Sequence, residues 1–526
     1  MQTSSVPSAT DHALNLADRL VEAWGSWGPT MTRNARRVAF VSDRFGTPQV
    51  FVQDVVVDGP LPAPVLIEVG EDPVVAVSWS ADSAWLAVAL ATDGGVRQQV
   101  WVVRPDGSEA QRIAGSKDQH AELGPWSRSG HRVVVTLPSV EPEQPARSYL
   151  VDPETGARDD LAVGELIHIL DLSVEERLVV LRDGQRGHEF VVVVDRLTDD
   201  DHPLLIEPWA GSAETAFIRP SPESESSPLI AYLSTEAGLP RRQLVAMPVG
   251  PHGWRGTSQV LASHPAGELE HLDADDAGRV LLLVWNVAGR SELELLDTAS
   301  GARTPVPGLP GAVVTDPVLS RDGRSVILSV EGPTRPRELW RLDTARHTWS
   351  QVTSGPALPG GLVEPTLERF AARDGLEITG WLYLAASDAA PRVPAAVGAG
   401  ASTSSDESAA PLPAPRWCTC TAGPNRRSGP RSRPSTRRLS PRASQCSRRT
   451  SGDRPASAPH SCTPTTASCG GTRWPMWSTV LRSWGRPGLP TPLASASPAG
   501  RTAGMRHWPR WRSRPTCSPP GSTSAE

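Results

Sequence analysis

The chain has 526 residues and a formal net charge of −6 at neutral pH, enough length for two or three domains with a sizeable core. That charge averages two unlike pieces, because residues 416–526 hold 19 Arg, no Lys and 2 acids whereas residues 1–415 hold 33 basic against 56 acidic residues. No apolar run approaches a membrane span, Met1–Ser5 lacks the basic and apolar regions of a signal peptide, and all six cysteines lie between Cys418 and Cys517, so a cytoplasmic protein folding without disulfides is expected.

In chain order, residues 11–25 predict a short helix packed on the body. Asp11 is placed as its N-cap, and Leu14, Leu16, Leu20 and Val21 fall near helical spacing. A degraded repeat follows. Its clearest copy is Ser80-Ala81-Asp82-Ser83, a polar turn between the apolar runs ending at Trp79 and beginning at Trp85. Equivalent turns begin at Thr32, Ser127, Ser173, Ser221, Ala274 and Ser320, in steps of 48, 47, 46, 48, 53 and 46 residues. Each step has room for about four short strands, with Asp-Gly pairs such as Asp93-Gly94 and Asp106-Gly107 supplying the positive φ of tight hairpins. Four antiparallel strands at this period form one blade of a β-propeller, and a single blade cannot bury both of its faces. Seven turns predict seven blades over residues 31–356, an all-β fold. The acidic residues of the turns read as a solvated rim and carry no functional weight.

The segment Ser42-Asp43-Arg44-Phe45-Gly46-Thr47-Pro48 and the Trp79-Ser80-Ala81-Asp82 turn resemble TolB-type propeller repeats and the propeller of the prolyl oligopeptidase family, in particular its acylaminoacyl-peptidase and dipeptidyl-peptidase branches. The next stretch, Leu367 to Leu384, reads as strand, Asp374-Gly375 turn, strand. Its Asp-Gly and Ile378-Thr379-Gly380-Trp381-Leu382-Tyr383 resemble the first hairpin of the α/β-hydrolase domain in those peptidases, which follows the last blade; an incomplete eighth blade is the structural alternative. The resemblance implies a serine peptidase whose propeller screens short peptides ahead of a Ser-Asp-His site.

The chemistry that the resemblance implies is then missing. Residues 388–415 are a Pro/Ala/Ser-rich linker. From Arg416 on there is no Ile, Phe, Tyr or Lys and a single Val, Val480, beside 16 Pro, 18 Ser and six Trp. No helical or strand period survives, and disordered chain seldom carries so much Trp and Cys. Such a mixture is what GC-rich DNA gives when read out of frame. Taking the third base of each codon with the first two of the next, Arg416 to Pro424 permits V-V-H-L-H-G-G-P, Ala443 to Arg449 permits I-A-V-F-A-P, and Ala496 to Met505 permits V-S-G-R-S-Y-G-G-Y. The last contains the Gly-x-Ser-x-Gly nucleophile elbow. A one-base frameshift near Pro415 is therefore expected. The hidden serine straddles Gly500 and Arg501, and only 25 residues follow Arg501, fewer than the family's Asp and His require.

In the frame as written there is no Gly-x-Ser-x-Gly, Walker loop, HExxH or CxxC. Cys418, Cys420, Cys462 and Cys469 lack zinc-ligand spacing, Gly398 to Ser402 lies in the linker, and His271, His347 and His507 read as lone surface histidines. No catalytic, cofactor-binding or metal-ligating residue is expected, and no cofactor. The expected organisation is an N-terminal helical segment at 1–30, the propeller at 31–356, the start of a hydrolase domain at 357–387, the linker at 388–415 and a disordered tail at 416–526. The expected function is that of an inactive remnant of a peptidase, with short peptides as partners by resemblance and no specific nucleic acid or membrane. A stand-alone TolB-type propeller binding peptide or protein is the alternative.

Overall fold

The computed structural model describes residues 16–384, except 140–143, 186–188, 199, 205–212, 222–228 and 237, together with the strand Trp417–Thr419. The expected cap Asp11, most of the fifth turn after Ser221, the linker 388–415, His507 and nearly all of the tail lie outside the described residues. Of the expected N-terminal helix, residues 16–21 are helical, with the Glu22 amide bonded to the Asp18 carbonyl at 2.9 Å. Leu20 and Val21 of this turn are exposed rather than packed on the body.

Seven four-stranded antiparallel sheets follow, each built from four strands consecutive in sequence. Blade 1 is Ser26–Met31, Arg37–Ser42, Gln49–Asp54 and Val65–Ile67; blade 2 is Val74–Trp79, Leu86–Thr92, Arg97–Val103 and Gln111–Ala114. Blade 3 is Glu122–Trp126, Val133–Leu137, Ala146–Val151 and Arg158–Gly164; blade 4 is His168–Leu172, Leu178–Asp183, Phe190–Asp195 and Asp200–Pro203. Blade 5 is Ala213–Pro220, Leu229–Thr235, Gln243–Val249 and Gln259–Ala262; blade 6 is Glu268–Ala274, Val280–Val287, Arg290–Asp297 and Arg303–Val306; blade 7 is Val313–Leu319, Ser325–Gly332, Arg335–Asp343 and Thr348–Gln351. The first strands of successive blades touch in cyclic order, and that of blade 7 returns to that of blade 1. The fold is a seven-bladed propeller.

The repeated turn joins the first strand of each blade to the second, and its chemistry explains its residue types. The first residue closes the turn by a backbone hydrogen bond, as from the Ser80 amide to the Trp85 carbonyl at 2.9 Å and from the Ser320 amide to the Ser325 carbonyl at 2.7 Å. Its side-chain oxygen accepts the amides four and five residues on: Ala84 and Trp85 at Ser80, Arg324 and Ser325 at Ser320, Arg177 and Leu178 at Ser173. A short side chain with an acceptor is needed, so Ser recurs. In blade 6 the capping residue is Asp275, one position after the expected start at Ala274, and it accepts Arg279 N at 2.7 Å and Val280 N at 3.1 Å. The fourth residue takes positive φ in six turns, as Gly130, Gly278 and Gly323 but also as Ala35, Ser83 and Glu176.

The second strands are continuous apolar runs because each lies between two neighbouring blades. Within blade 1, Val38 and Phe40 pack toward blade 7 while Ala39 and Val41 pack toward blade 2. Strand alternation thus survives inside an unbroken run, with both faces buried. Each of the seven interfaces holds its own cluster of buried apolar residues. Blades 1 and 7 meet without sharing a strand. Phe40, Phe51, Ile327 and Leu339 fill their seam, Gln53 Nε2 donates to the Val352 carbonyl at 2.6 Å, and the Arg337 guanidinium lies 5.5 Å from the centre of the Trp27 ring. No helix among the described residues is long and apolar enough to cross a membrane.

Candidate functional site at the propeller axis

Polar side chains on the innermost strands tie each blade to the next. Two residues before the capping position, Thr30 Oγ1 accepts the Trp79 amide at 3.0 Å, and Ser78 Oγ accepts the Trp126 indole N–H at 2.9 Å. In the same position Asp171 Oδ2 accepts the Ile218 amide at 2.9 Å, and Asp273 Oδ2 accepts the Leu319 amide at 2.7 Å. Burial pushes the Asp273 carboxyl above its ordinary range, against the pull of the Leu319 amide.

Charged side chains converge on the axis from five blades. Arg128, second residue of its turn in blade 3, donates Nη2 to Asp276 Oδ1 at 2.6 Å. Asp276 holds the same place in the turn of blade 6. Arg321, again the second residue, of blade 7, donates Nη1 to Asp276 Oδ2 and to the Arg128 carbonyl, both at 3.2 Å. The Asp276 amide bonds back to the Arg321 carbonyl at 3.0 Å. Beneath this group Asp171 of blade 4 accepts Arg219 Nη1 of blade 5 at 2.7 Å and lies 3.9 Å from Arg128 Nη1. The side chains of Arg128, Asp171 and Arg219 are 8–11% exposed, against 28% for Arg321 and 37% for Asp276. Burial, and then the neighbouring Arg219 charge, lowers the Arg128 guanidinium from its ordinary value. Asp276 therefore departs from the solvated rim expected of acidic turn residues. The signal in the sequence was a charge at one fixed turn position, in Arg128, Asp276 and Arg321, and only the ring shows that these positions meet.

At the other end of the strands sits the hairpin that follows blade 7. Thr366–Ala371 pairs with Glu377–Tyr383 around an Asp374-Gly375 turn in which Gly375 has φ 84°, as the sequence predicts, and Trp417–Thr419 pairs with its second strand. The three strands form a sheet of their own. The Arg290 guanidinium lies 5.0 Å from the Trp381 ring centre, and the same ring approaches Gly289. Gly289 joins the second strand of blade 6 to the third, so the hairpin touches the end opposite the repeated turns. That end also carries an open groove of about 540 Å³ lined by Thr47, Gln49, Glu68, Gly70, Glu71 and Asp72. Among the described residues no group of three His, Cys, Asp or Glu is placed to hold a metal ion. Of the lone histidines, His347 lies in the last turn of blade 7, its amide bonded to the Asp343 carbonyl at 2.8 Å, and His271 lies on the first strand of blade 6.

No protein-family model matches this sequence, and no curated protein matches it. Among solved structures, prolyl oligopeptidase B from Galerina marginata in its apo form superposes over 70% of this chain and 57% of its own, with a TM-score of 0.53 at 12% identity. The same enzyme bound to a 35mer hydrolysis and macrocyclization substrate gives a TM-score of 0.54 at 11% identity. A structure from a study of two prolyl endopeptidases and their inter-domain dynamics gives 0.54 at 15% identity over 70% of this chain and 56% of that one. At these identities the likeness is one of fold, and the chain spans little more than half the length of each.

Proposed function

We propose that this chain carries the peptide-screening half of a prolyl oligopeptidase-type serine peptidase, that its hydrolase domain begins within residues 357–387, and that the chain as written does not turn over peptides. One observation carries the reading: a closed seven-bladed ring is followed directly by a separate Asp-Gly hairpin seated on one end of it. Phe370, Leu376 and Ile378 of that hairpin are exposed, as an outer hairpin awaiting the rest of a sheet would be. The solved neighbours include one bound to a peptide substrate, which supports peptide as the ligand class. The boundaries read from the sequence, with the propeller ending near 356 and a linker at 388–415, belong to the same proposal, as does a cytoplasmic location suited to a cysteine-free body.

Absence of turnover follows from the sequence past Pro415. Acyl transfer by this class needs a serine on a strained elbow, a histidine base, an orienting aspartate and amide donors for the oxyanion. The 526 residues contain no Gly-x-Ser-x-Gly, whereas the frame starting at each third base permits both the elbow and a His-Gly-Gly-Pro segment ahead of it. We place a one-base frameshift there. A fluorophosphonate probe applied to the purified chain should label no serine, and coding DNA with the frame restored should give a product that carries the elbow. Serine labelling of the chain as written would overturn the assignment of inactivity. Resequenced DNA that offers no coherent second frame would overturn the frameshift.

A further inference from the structure

The charged cluster on the axis has a consequence for how anything passes through the ring. Blades 3 and 6 are three steps apart around seven, close to diametrically opposed, yet Arg128 and Asp276 are in direct contact at 2.6 Å. Side chains from opposed blades meet only over the axis. Arg321 joins the same contact from blade 7 through the carboxylate of Asp276 and the backbone carbonyl of Arg128. Both carboxylate oxygens of Asp276 are engaged, and its amide is held by the Arg321 carbonyl. The equivalent second turn position in blade 2 is Ala81, fully buried, so that blade leaves the centre to its neighbours. Behind the bar, Asp171 and Arg219 supply a second, nearly buried ion pair. We propose that Arg128, Asp276 and Arg321 form a bar that closes the propeller axis at the repeated-turn end, so that a peptide enters and leaves only at the opposite end, where Trp381 sits. The closure stands on the geometry alone; that the passing molecule is a peptide rests on the proposed function.

A charged bar is suited to this. Charge-assisted hydrogen bonds hold directionally, and the low exposure of Arg128 limits screening by salt.

The test uses the full chain with two cysteines, Ala76→Cys on the first strand of blade 2 and Arg33→Cys at the exposed second turn position of blade 1, and a flexible bismaleimide just long enough to join them through the axis. Reagent entering from the opposite end reaches residue 76 equally in every variant, so the readout is the 33–76 cross-link, which has to pass the bar. The native cysteines all lie beyond residue 417, so mass spectrometry separates this link from links to theirs. Asp276→Ala and Arg128→Ala should each raise its yield several-fold, and the exchanged pair Arg128→Asp with Asp276→Arg should return it toward the parent yield. A yield unchanged in both single variants that remain folded by circular dichroism, or an exchanged pair linked as readily as the singles, would overturn the bar. Should the single variants unfold, Arg128→Cys with Asp276→Cys and a short bismaleimide decides: a cross-link linking peptides of blades 3 and 6 is expected, and its absence overturns the proposal. Peptide titration of the parent chain is scored separately, so a bar that passes these tests while no peptide binds would leave the closure standing and remove the peptide-screening reading.

Discussion

Single residues set the repeat. The capping oxygen of Ser80, Ser173, Asp275 and Ser320 accepts two turn amides; at Ser320 its loss strands the buried Ser325 amide, whereas the Arg324 amide keeps Asp322 Oδ1 at 3.1 Å. Ser320→Ala is expected to lower stability by about 1–2 kcal/mol, read as a shift in the urea midpoint. Ser320→Asp should be far milder, because Asp275 fills the equivalent place in blade 6 with the same two bonds; equal losses in the two variants would contradict this account of the turn. The fourth position shows why the motif is degraded. Positive φ favours Gly, yet Glu176 adopts it at 56° while its carboxylate takes Arg132 and its carbonyl accepts Arg196 Nη1 at 3.0 Å. Long-range contacts fix the conformation there, so no glycine signature remains to be read.

Elements differ in how plainly the sequence shows them. Second strands such as Val280–Val287 are long, apolar and buried on both faces, and they stand out as runs. First strands such as Ser26–Met31 and Glu122–Trp126 are hard to see, with Gly, Pro and charged residues beside the axis instead of a second apolar face. Their cohesion comes from the side chains that cross to the next blade. Asp171→Ala would strand the Ile218 amide and the nearly buried Arg219 together, at a cost of about 3–5 kcal/mol. Asp171→Asn, which keeps an acceptor, should recover part of that loss. A urea midpoint indifferent to Asp171→Ala would show that the crossing bond holds nothing.

At the scale of the molecule, acid should dismantle the ring. Asp106, Asp195 and Asp297 are held below the ordinary carboxylate value, first by a hydrogen bond from Ser108, Arg177 and Ser300 respectively. Burial raises Asp82, Asp152, Asp322 and Asp343, but turn amides and hydrogen-bonding side chains outweigh it and leave them low as well. A carboxyl whose folded value lies below its unfolded value of about 3.9 stabilises the fold above that pH, and the contribution disappears as pH falls through the folded value. Asp273, raised by burial, works the other way and costs stability at neutral pH, but it stands against these seven and Glu122, which burial raises but His168 and His120 hold low. The thermal midpoint should thus hold steady from neutrality to about pH 4.5 and drop steeply between about pH 4 and 2; a flat profile down to pH 2 would contradict it.

The sequence by itself determined the repeat, the number of blades, the strand content and the hairpin at Asp374-Gly375. Each of these is local: a turn that needs Ser and positive φ, a run that needs apolar residues, a period that counts units. Tertiary structure decided what lies between units. It brought blade 7 against blade 1 through Phe40 and Leu339, 299 residues apart at the Gln53–Val352 bond, and it made a bar of Arg128, Asp276 and Arg321, three turn residues that look like ordinary surface charges in the chain. A ring places opposite turns in contact only once it has closed, and no spacing along the chain encodes which charges will face one another across its centre.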